Sequence, residues 1–342
     1  TENPTNRTVK THLTRDYLEK MVNEKPGNVM VVSGKNSKKI DYILAAVNAG
    51  LNVYADKPLV VDQEGFIKLE KVFELAKEKN LLVYDIMTER FEVTTGIQKA
   101  LSMKPEVFGV LLDGSQSEPS ISKESIHHLS KKVSGKPLVR PAWFLDTDQQ
   151  GEGIVDVTTH LVDLVQWEAF PNQIIDRSDI EIISSRRWTT RLAPHQFKNI
   201  TGLANYPEYL EKDVKSDTLN IYCNGEINYT IKGKHAKVSV IWNYKAPEGT
   251  GDTHQSTMRG SKCDLIIKQG EAENFKPTLY IFSVKQDDYF ESTLNKALQS
   301  LQLDFPGIEA DKISDSQWKI VIPKALKIGH EAHFGQVTNN FL

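Results

Sequence analysis

The sequence contains little cysteine and no long apolar run. Its 342 residues include two cysteines, Cys223 and Cys263, which are too few for a disulfide framework. Both lie in strand-like runs, so we expect buried free thiols. No apolar run approaches the ~18 residues that span a bilayer, and no signal-peptide pattern opens the chain. These absences favour a soluble protein, in the cytoplasm rather than exported, and they leave the compartment itself open.

The sequence also has no excess of charge of one sign. Its formal net charge of -3 provides no basic field, which argues against nucleic acid and anionic membranes as partners. Metal-ligand spacing is absent as well, because His127 and His128 are adjacent and no Cys-x-x-Cys pair occurs. The composition therefore gives no indication of a nucleic-acid, membrane-surface or metal site.

The first hundred residues alternate between strand-like and helix-like segments. We predict strands at 29–32, 51–55 and 81–86, and helices at 38–48 and 64–79. Gly50 and Asn80 end the two helices. This alternation predicts a Rossmann-like parallel sheet with right-handed crossovers. A strand at 108–112, a helix near 120–132 and a strand at 137–140 are predicted to follow.

The pattern changes after residue 178 to strands of alternating polarity. The predicted strands lie at 179–188, 217–223, 226–231, 235–244, 263–268 and 279–284. Turns at 224–225 and 232–233 make most of their connections hairpins, so we predict a large, mainly antiparallel open sheet. The fold class is thus α/β, with a Rossmann-like dinucleotide-binding domain at 1–105 and an α+β substrate and oligomerisation domain at 106–342.

Aromatic residues on the strands predict self-association. Tyr222, Tyr229, Trp242 and Tyr244 are expected on the face of the sheet that helices do not cover. Aromatic residues are enriched at protein interfaces. We therefore expect a homo-oligomer formed through this sheet.

Lys57 occupies the carboxyl end of a predicted parallel strand. Ligands of parallel α/β sheets bind at that edge, where the loop 33–37 also lies. Pro58 fixes the backbone, so the ammonium group has a defined direction. A lysine held in a cleft can exchange a proton near neutral pH. The alternative is a surface lysine whose charge is neutralised by Asp56.

A second chemical motif lies between residues 151 and 167. Glycines precede a helical pattern in which Asp156, His160 and Asp163 recur at intervals of four and three residues, so they share a helical face. A carboxylate one turn before an imidazole can orient it for proton transfer. A purely structural aspartate–histidine pair would show the same spacing.

Together these segments resemble the glucose-fructose oxidoreductase/inositol dehydrogenase/MocA (Gfo/Idh/MocA) family. Residues 45–59 are similar to that family's segment ending in the EKP motif, and 151–160 to its glycine-rich helix with aspartate and histidine. Residues 90–91 and 143–148 fit as well, and the similarity runs from about residue 16 to 170. Segments at 259–265 and 329–334 resemble a bacterial subgroup of these oxidoreductases.

The resemblance implies the chemistry and its residues. Family members transfer a hydride between NAD or NADP and a sugar, polyol or related carbonyl compound. The implied catalytic residues are Lys57, beside the nicotinamide, His160, as acid/base on the substrate hydroxyl, and Asp156. The implied cofactor-binding residues are Ser33, Asn36, Asp56 and Lys57, and the implied substrate-binding residues are Arg90, Trp143, Asp156 and His160. Lys57 and His160 would then face one cleft.

Two other functions remain open. Some relatives use tightly held NAD for glycoside hydrolysis, and a catalytically silent binding or assembly protein could retain the fold. The loop at 33–39 departs from the family pattern, since Asn36 matches it but Gly34, Lys35 and Lys39 do not. This departure favours the catalytically silent protein, whereas the presence of Lys57, Asp156 and His160 argues against it.

No Gly-x-Gly-x-x-Gly turn follows any predicted strand. That turn holds the pyrophosphate of a dinucleotide in the Rossmann fold. Residues 8–12 resemble the third strand of that fold and 29–32 the fourth, so the strands that carry the turn are expected upstream in a longer parent. We expect the sequence as given to bind NAD(H) far more weakly than that parent; the alternative is that NAD is not bound.

Overall fold

The computed structural model describes residues 11–133, 135–285 and 288–342, without the side chains of Val133, Asp288 and His330. The chain forms two compact units, Thr1–Asp85 and Ile86–Leu342. The functional boundary at residues 105/106 stays a prediction. No helix in the described ranges is long and apolar enough to cross a membrane.

The first unit is built on a parallel sheet. Its elements are α1 (Tyr17–Glu24), β1 (Val29–Val32), α2 (Lys39–Asn48), β2 (Asn52–Ala55), α3 (Gln63–Glu78) and β3 (Val83–Asp85). Within the described residues the strand order is β1-β2-β3, and both pairings are parallel. The predicted helix stops at Gly50 and Asn80 are confirmed, since both have positive φ. The strand predicted at 8–12 includes residues 8–10, which lie outside the described residues.

One face of this sheet packs on helices. Val32 and Val53 pack with Ile43, Val47 and Val72 of α2 and α3 in the core of the unit. Strand β1 is not buried along its whole length, because Val31 is 64% exposed. Successive side chains of a strand point to opposite faces, so the exposed and buried residues of β1 alternate.

The second unit combines short helices with a large sheet. Its helices are α4 (Val93–Ser102), α5 (Thr147–Gln150), α6 (Gly153–Asp156), α7 (Thr158–Ala169), α8 (Pro194–Thr201), α9 (Asp288–Ser300) and α10 (His330–Phe341). Its strands are β4 (Ile121–Ser130), β5 (Lys132–Val133), β6 (Lys136–Pro137), β7 (Ile180–Leu192), β8 (Val214–Lys215), β9 (Thr218–Ile231), β10 (Lys234–Lys245), β11 (Thr253–Arg259), β12 (Cys263–Lys268), β13 (Thr278–Ser283), β14 (Glu309–Ser314) and β15 (Gln317–Val321).

The main sheet of this unit is mixed and mostly antiparallel. Its order is β14-β15-β13-β12-β11-β4-β10-β9-β7, with β8 paired to β9, and only the β4–β10 pairing within it is parallel. Leu101 of α4 and Leu294 of α9 pack against one half of the sheet, and Leu161 and Val165 of α7 against the middle. The predicted α/β fold class, with a parallel sheet and a larger open sheet, is confirmed.

Four local predictions are wrong. Residues 137–140 do not form a strand, since only Pro137 belongs to the two-residue strand β6. Residues 121–130 form the central strand β4 rather than a helix, because buried partners on other elements accommodate its polar side chains. Residues 108–112 form no strand; Leu111 makes only an isolated bridge to Gly260. Asn224 and Gly225 lie inside the long strand β9 and form no turn. The turn at 232–233 is confirmed, with positive φ at both residues as a two-residue hairpin turn requires.

The exposure predicted for the aromatic residues needs a correction. Tyr229 and Trp242 are buried within their own chain, at 4% and 6% exposure, and pack in two apolar clusters of the second unit. Tyr222 is 38% exposed. Both cysteines are free and buried as predicted, and burial raises the pKa of the Cys223 thiol to about 11.

Candidate functional site

In the first unit, the predicted cofactor-side residues gather where β2 ends. The buried ammonium of Lys39 donates to the carbonyl oxygen of Asp56 at 2.7 Å and lies 3.4 Å from that of Lys57. The Asp56 amide donates to the Val32 carbonyl oxygen. The bond between Lys57 and Pro58 is cis. The backbone beneath the Lys57 side chain is therefore held by β1 on one side and by α2 on the other.

The loop after β1 adds the remaining residues of this group. Asn36 is 3% exposed and opens a short 3-10 helix, whereas Ser33 is exposed. Gly34 has φ of +107°, a conformation that favours glycine, and nothing lies within 4 Å of the position of its missing Cβ. An open backbone loop at the carboxyl edge of a parallel sheet fits the nicotinamide half of a dinucleotide.

In the second unit, two glycines bring the helix of Asp156 against the sheet. A Cβ on Gly153 would lie 1.7 Å from the carbonyl oxygen of Cys223, and one on Gly225 would lie 2.7 Å from the Cβ of Ile154. These contacts seat α6 directly on β9. The glycine-rich segment thus has a packing role here, which fixes where Asp156 is presented.

Asp156 is 8% exposed and held from two directions. The side-chain amide of Gln150 donates to its carboxylate at 3.0 Å, and Thr159 donates its hydroxyl to the Asp156 carbonyl oxygen. Asp156, Gln150 and Trp242 line the same small cavity of about 20 Å³. Asp156 is therefore a positioned carboxylate.

The other predicted residues of this unit lie on three different elements. His160 lies half-buried in the first turn of α7, four residues after Asp156. Trp143 is half-buried in the short 3-10 helix Ala142–Leu145. Arg90 is bound to Asp163 through both Nε, at 2.7 Å, and Nη2. Arg90 therefore braces α7, a structural role that a substrate-binding prediction does not include.

Sequence reasoning missed Arg140. Its guanidinium carbon lies 4.4 Å from the centre of the Phe144 ring and 5.2 Å from that of Trp242, and its Nε donates to the Leu129 carbonyl oxygen. Burial lowers the pKa of Arg140, while the charges of Asp252 and Asp156 act in the opposite direction. Arg140 is thus a half-buried cation placed near both carboxylates.

A polar chain at the end of β4, completed by Asp252 just before β11, was also missed. Ser125 Oγ lies 2.7 Å from His127 Nε2, and His127 Nδ1 lies 3.0 Å from Asp252 Oδ2, which also binds Lys131. The His127 ring stacks on Trp242 with 4.7 Å between centroids. Burial raises the pKa of Asp252, but His127 and Lys131 outweigh it and hold that pKa well below its usual range. No sequence signal pairs residues 125 positions apart.

The structure thus assembles two groups of predicted residues. Asn36, Asp56 and Lys57 lie at the carboxyl edge of the sheet in the first unit. In the second unit Asp156 ends α6 and His160 lies in the first turn of α7, while Trp143 belongs to the 3-10 helix Ala142–Leu145. Their chemistry is compatible with cofactor positioning in the first group and proton transfer in the second. A common cleft for Lys57 and His160 stays a prediction.

Comparisons with known proteins place the chain among oxidoreductases. Residues 97–342 match the family model described as "Putative oxidoreductase C terminal domain". A crystal structure of a "putative oxidoreductase" from Parabacteroides merdae has 54% identity over 100% of this chain and 78% of its own, with a TM-score of 0.96. A comparison with curated proteins found no match.

More distant structures share the fold. A "putative oxidoreductase" from Erwinia carotovora atroseptica has 13% identity and a TM-score of 0.55, over 82% of this chain and 75% of its own. Levoglucosan dehydrogenase in complex with NADH and L-sorbose has 12% identity and a TM-score of 0.53, over 81% of this chain and 62% of its own.

Proposed function

Since the chain belongs to the family defined by this oxidoreductase C-terminal domain, we propose that it is an NAD(P)-dependent oxidoreductase of the Gfo/Idh/MocA type that acts on a sugar, polyol or related carbonyl compound. Levoglucosan dehydrogenase, which shares the fold, supports this proposal, because its structures contain NADH with L-sorbose or levoglucosan.

The observation that carries the proposal is the clamp on the β2 end. Lys39 fixes the carbonyl groups of residues 56 and 57, so the Lys57 side chain starts from a rigid backbone at the edge where α/β sheets bind ligands. A nicotinamide cofactor supplies hydride acceptance and donation when bound. Ser33, Asn36, Asp56 and Lys57 would hold its nicotinamide side.

We assign proton transfer in the reaction to the residues of the second unit. We assign His160 as the acid/base that exchanges a proton with the substrate hydroxyl, and Asp156 as the carboxylate that binds and orients the polar substrate beside it. Gln150 and the close packing of Gly153 on β9 hold Asp156 in place. Positioned acid/base groups typically contribute about 10²–10⁴-fold to a rate.

The test combines cofactor titration with turnover. Calorimetric titrations with NAD⁺ and NADP⁺ identify the cofactor, and a panel of sugars and polyols is then screened by the absorbance of the reduced nicotinamide. His160→Gln and Asp156→Asn should lower kcat by about 10²-fold or more. Lys57→Met should impair both cofactor binding and turnover, whereas Lys71→Met, an exposed position of α3, is the matched control.

Two results would overturn the assignment. One is turnover that is unchanged in His160→Gln and Asp156→Asn. The other is a form extended upstream by the predicted glycine-rich turn that binds neither NAD⁺ nor NADP⁺ and turns over no member of the panel, which would favour a silent scaffold.

A further inference from the structure

A large open cavity lies at the carboxyl ends of β4 and β10. Its volume is about 750 Å³, within the range of roughly 300–1,000 Å³ that small-molecule sites occupy. The β4–β10 pair is parallel, with Lys245 opposite Ser130, so both strands deliver their last residues to the same place. The turn at 247–250 closes another side of the cavity.

Lys131 is a fixed cation at the wall of this cavity. Its ammonium binds Asp252 Oδ2, which also contacts His127 Nδ1, while Asp252 Oδ1 accepts from the backbone N–H of His128 at 3.1 Å. The Lys131 side chain is 21% exposed. An ammonium has three N–H donors, so Asp252 anchors Lys131 and leaves donor capacity for a ligand.

The cavity carries an excess of positive charge in a chain that is acidic overall. Lys132 and Lys245 join Lys131 in the lining, and Glu248 is the acidic residue among the lining residues. No ion pair links Lys132 or Lys245 to another residue of the described ranges. After Asp252 offsets Lys131, two ammonium groups still face one carboxylate, so the cavity suits an anionic ligand.

The remaining lining combines an aromatic ring with hydrogen-bonding groups. Asn199 Nδ2 donates to the Tyr244 hydroxyl at 2.9 Å, which orients the ring and leaves the hydroxyl proton available to a ligand. Ser130 and Thr250 add hydroxyl groups, and Thr250 donates its own to the Pro247 carbonyl oxygen. An aromatic face beside amide, hydroxyl and ammonium groups fits a hydroxylated ring that bears a negative charge.

Strand β10 connects this cavity with the surroundings of Asp156. Trp242 lines the small cavity beside Asp156, and Tyr244, two residues later, lines the large one. Residues two apart in a strand point to the same face and lie about 7 Å apart. Side chains two residues apart on one face of β10 therefore line the two cavities.

We propose that this cavity is a binding subsite for a carboxylate-bearing saccharide unit, held by Lys131, Lys132 and Lys245 and packed against Tyr244. In its relation to catalysis this inference rests on the proposed function, because it makes an acidic sugar unit part of the substrate. Binding at the subsite itself requires no cofactor.

The test is a calorimetric titration of the full chain, without cofactor, with glucuronate, glucose, acetate and inorganic phosphate. Glucuronate should bind at least about tenfold more tightly than glucose, since one additional ion pair in a partly enclosed site is worth about that factor. In the double variant Lys132→Ala/Lys245→Ala the affinity for glucuronate should fall about tenfold, and the affinity for glucose should change little. The matched control, Lys215→Ala/Lys276→Ala, removes two exposed lysines elsewhere and should leave both affinities unchanged.

The ring contact is tested separately. Tyr244→Ala should weaken glucuronate and glucose alike, whereas Tyr244→Phe, which keeps the ring, should retain most of the affinity. Circular dichroism of every variant establishes that it is folded.

Several results would overturn the proposal. Equal affinity for glucuronate and glucose would remove the role of the charge. Acetate or phosphate binding as tightly as glucuronate would show a simple anion site, and no binding of any ligand at millimolar concentration would show no site. Glucuronate binding by a chain that oxidises no sugar would support the subsite while refuting the oxidoreductase proposal, so the two can fail separately.

Discussion

At the scale of single residues, buried charge is concentrated on the inner face of β4. Lys123 and Glu168 form an ion pair with no exposure of either side chain. Ser256 and Gln98 also contact the Lys123 ammonium, at 2.6 and 3.3 Å, but Glu168 Oε1 has no hydrogen-bond partner among the described residues. Burial lowers the pKa of Lys123 and raises that of Glu168, and each partner's charge opposes that effect. Removing one partner therefore leaves a buried charge without its counterion.

Lys123→Met should lower the free energy of unfolding by about 3–5 kcal/mol, because it strands the Glu168 carboxylate in the core. The double variant Lys123→Met/Glu168→Leu should recover most of that loss, because no charge remains to be buried. Urea unfolding followed by circular dichroism measures both. Lys312→Met breaks the exposed pair with Glu291 and should change stability by less than about 1 kcal/mol. A double variant as unstable as the single one would contradict this account.

His254 predicts a loss of stability in acid. Burial, with the charges of Lys123 and His127, lowers the pKa of His254 from 6.5 to about 3. Between those values the unfolded chain binds a proton that the folded chain does not, so stability falls as pH drops below 6.5. At about pH 5 this residue should account for roughly 2 kcal/mol of lost stability. Urea unfolding of His254→Gln between about pH 7 and pH 5 should show a shallower slope than wild type, and parallel slopes would refute the assignment.

At the scale of elements, the contact of α6 with β9 decides where Asp156 lies. Gly153 lies against the backbone of Cys223 and Gly225 lies against Ile154, with no room for a Cβ at either glycine. Elsewhere glycine has other uses: Gly202 ends α8 in the left-handed conformation. Glycine is therefore required in the segment before Asp156 because the helix packs so closely on the strand.

Gly153→Ala should push α6 away from β9 and lower the free energy of unfolding by about 1–3 kcal/mol. The displaced Asp156 should also weaken substrate binding or turnover. Gly335→Ala is the matched control, since this glycine lies in α10 with nothing within 4 Å of the Cβ position. Alanine there should stabilise by up to about 1 kcal/mol. Thermal unfolding measures both, and a Gly153→Ala variant as stable as wild type would show that α6 can shift freely.

At the scale of the whole molecule, self-association through the large sheet stays a prediction. The residues expected at the interface differ from the four aromatic residues that the sequence suggested. Tyr229 and Trp242 serve the core of their own chain, so they cannot form the interface. Ile182 of β7 is 58% exposed and Tyr222 of β9 is 38% exposed. These two side chains are the apolar groups through which we expect β7 and β9 to meet a second copy.

Light scattering at micromolar concentration should show an oligomer, and Ile182→Arg/Tyr222→Arg should shift it towards monomer, because charges are unfavourable in an interface core. Ile313→Arg alters an exposed apolar residue on β14, at the other end of the sheet, and should leave the mass unchanged. A monomeric wild type would refute self-association, and an unaffected double variant would place the interface elsewhere.

The sequence by itself determined the parts of the fold that depend on local signals. The pattern of apolar residues predicted β1, β2, α2 and α3. Gly50 and Asn80 predicted the ends of α2 and α3, and residues 232–233 predicted a hairpin turn; all four residues have positive φ in the structure. It also located Lys57 at the carboxyl end of a parallel strand, since that position follows from the order of elements. Each of these features depends on residues within one or two turns of chain.

Only the tertiary structure decided the features that depend on distant partners. The polar segment 121–130 has the composition of a helix, but it forms the central strand because Glu168 neutralises Lys123 and Asp252 holds His127. A lysine in a helix is expected at the surface, yet Lys39 is buried against the carbonyl groups of Asp56 and Lys57. A buried charge requires a counterion or an acceptor, and that partner can come from anywhere in the chain. Its position is therefore a property of the packed molecule, which no local pattern encodes.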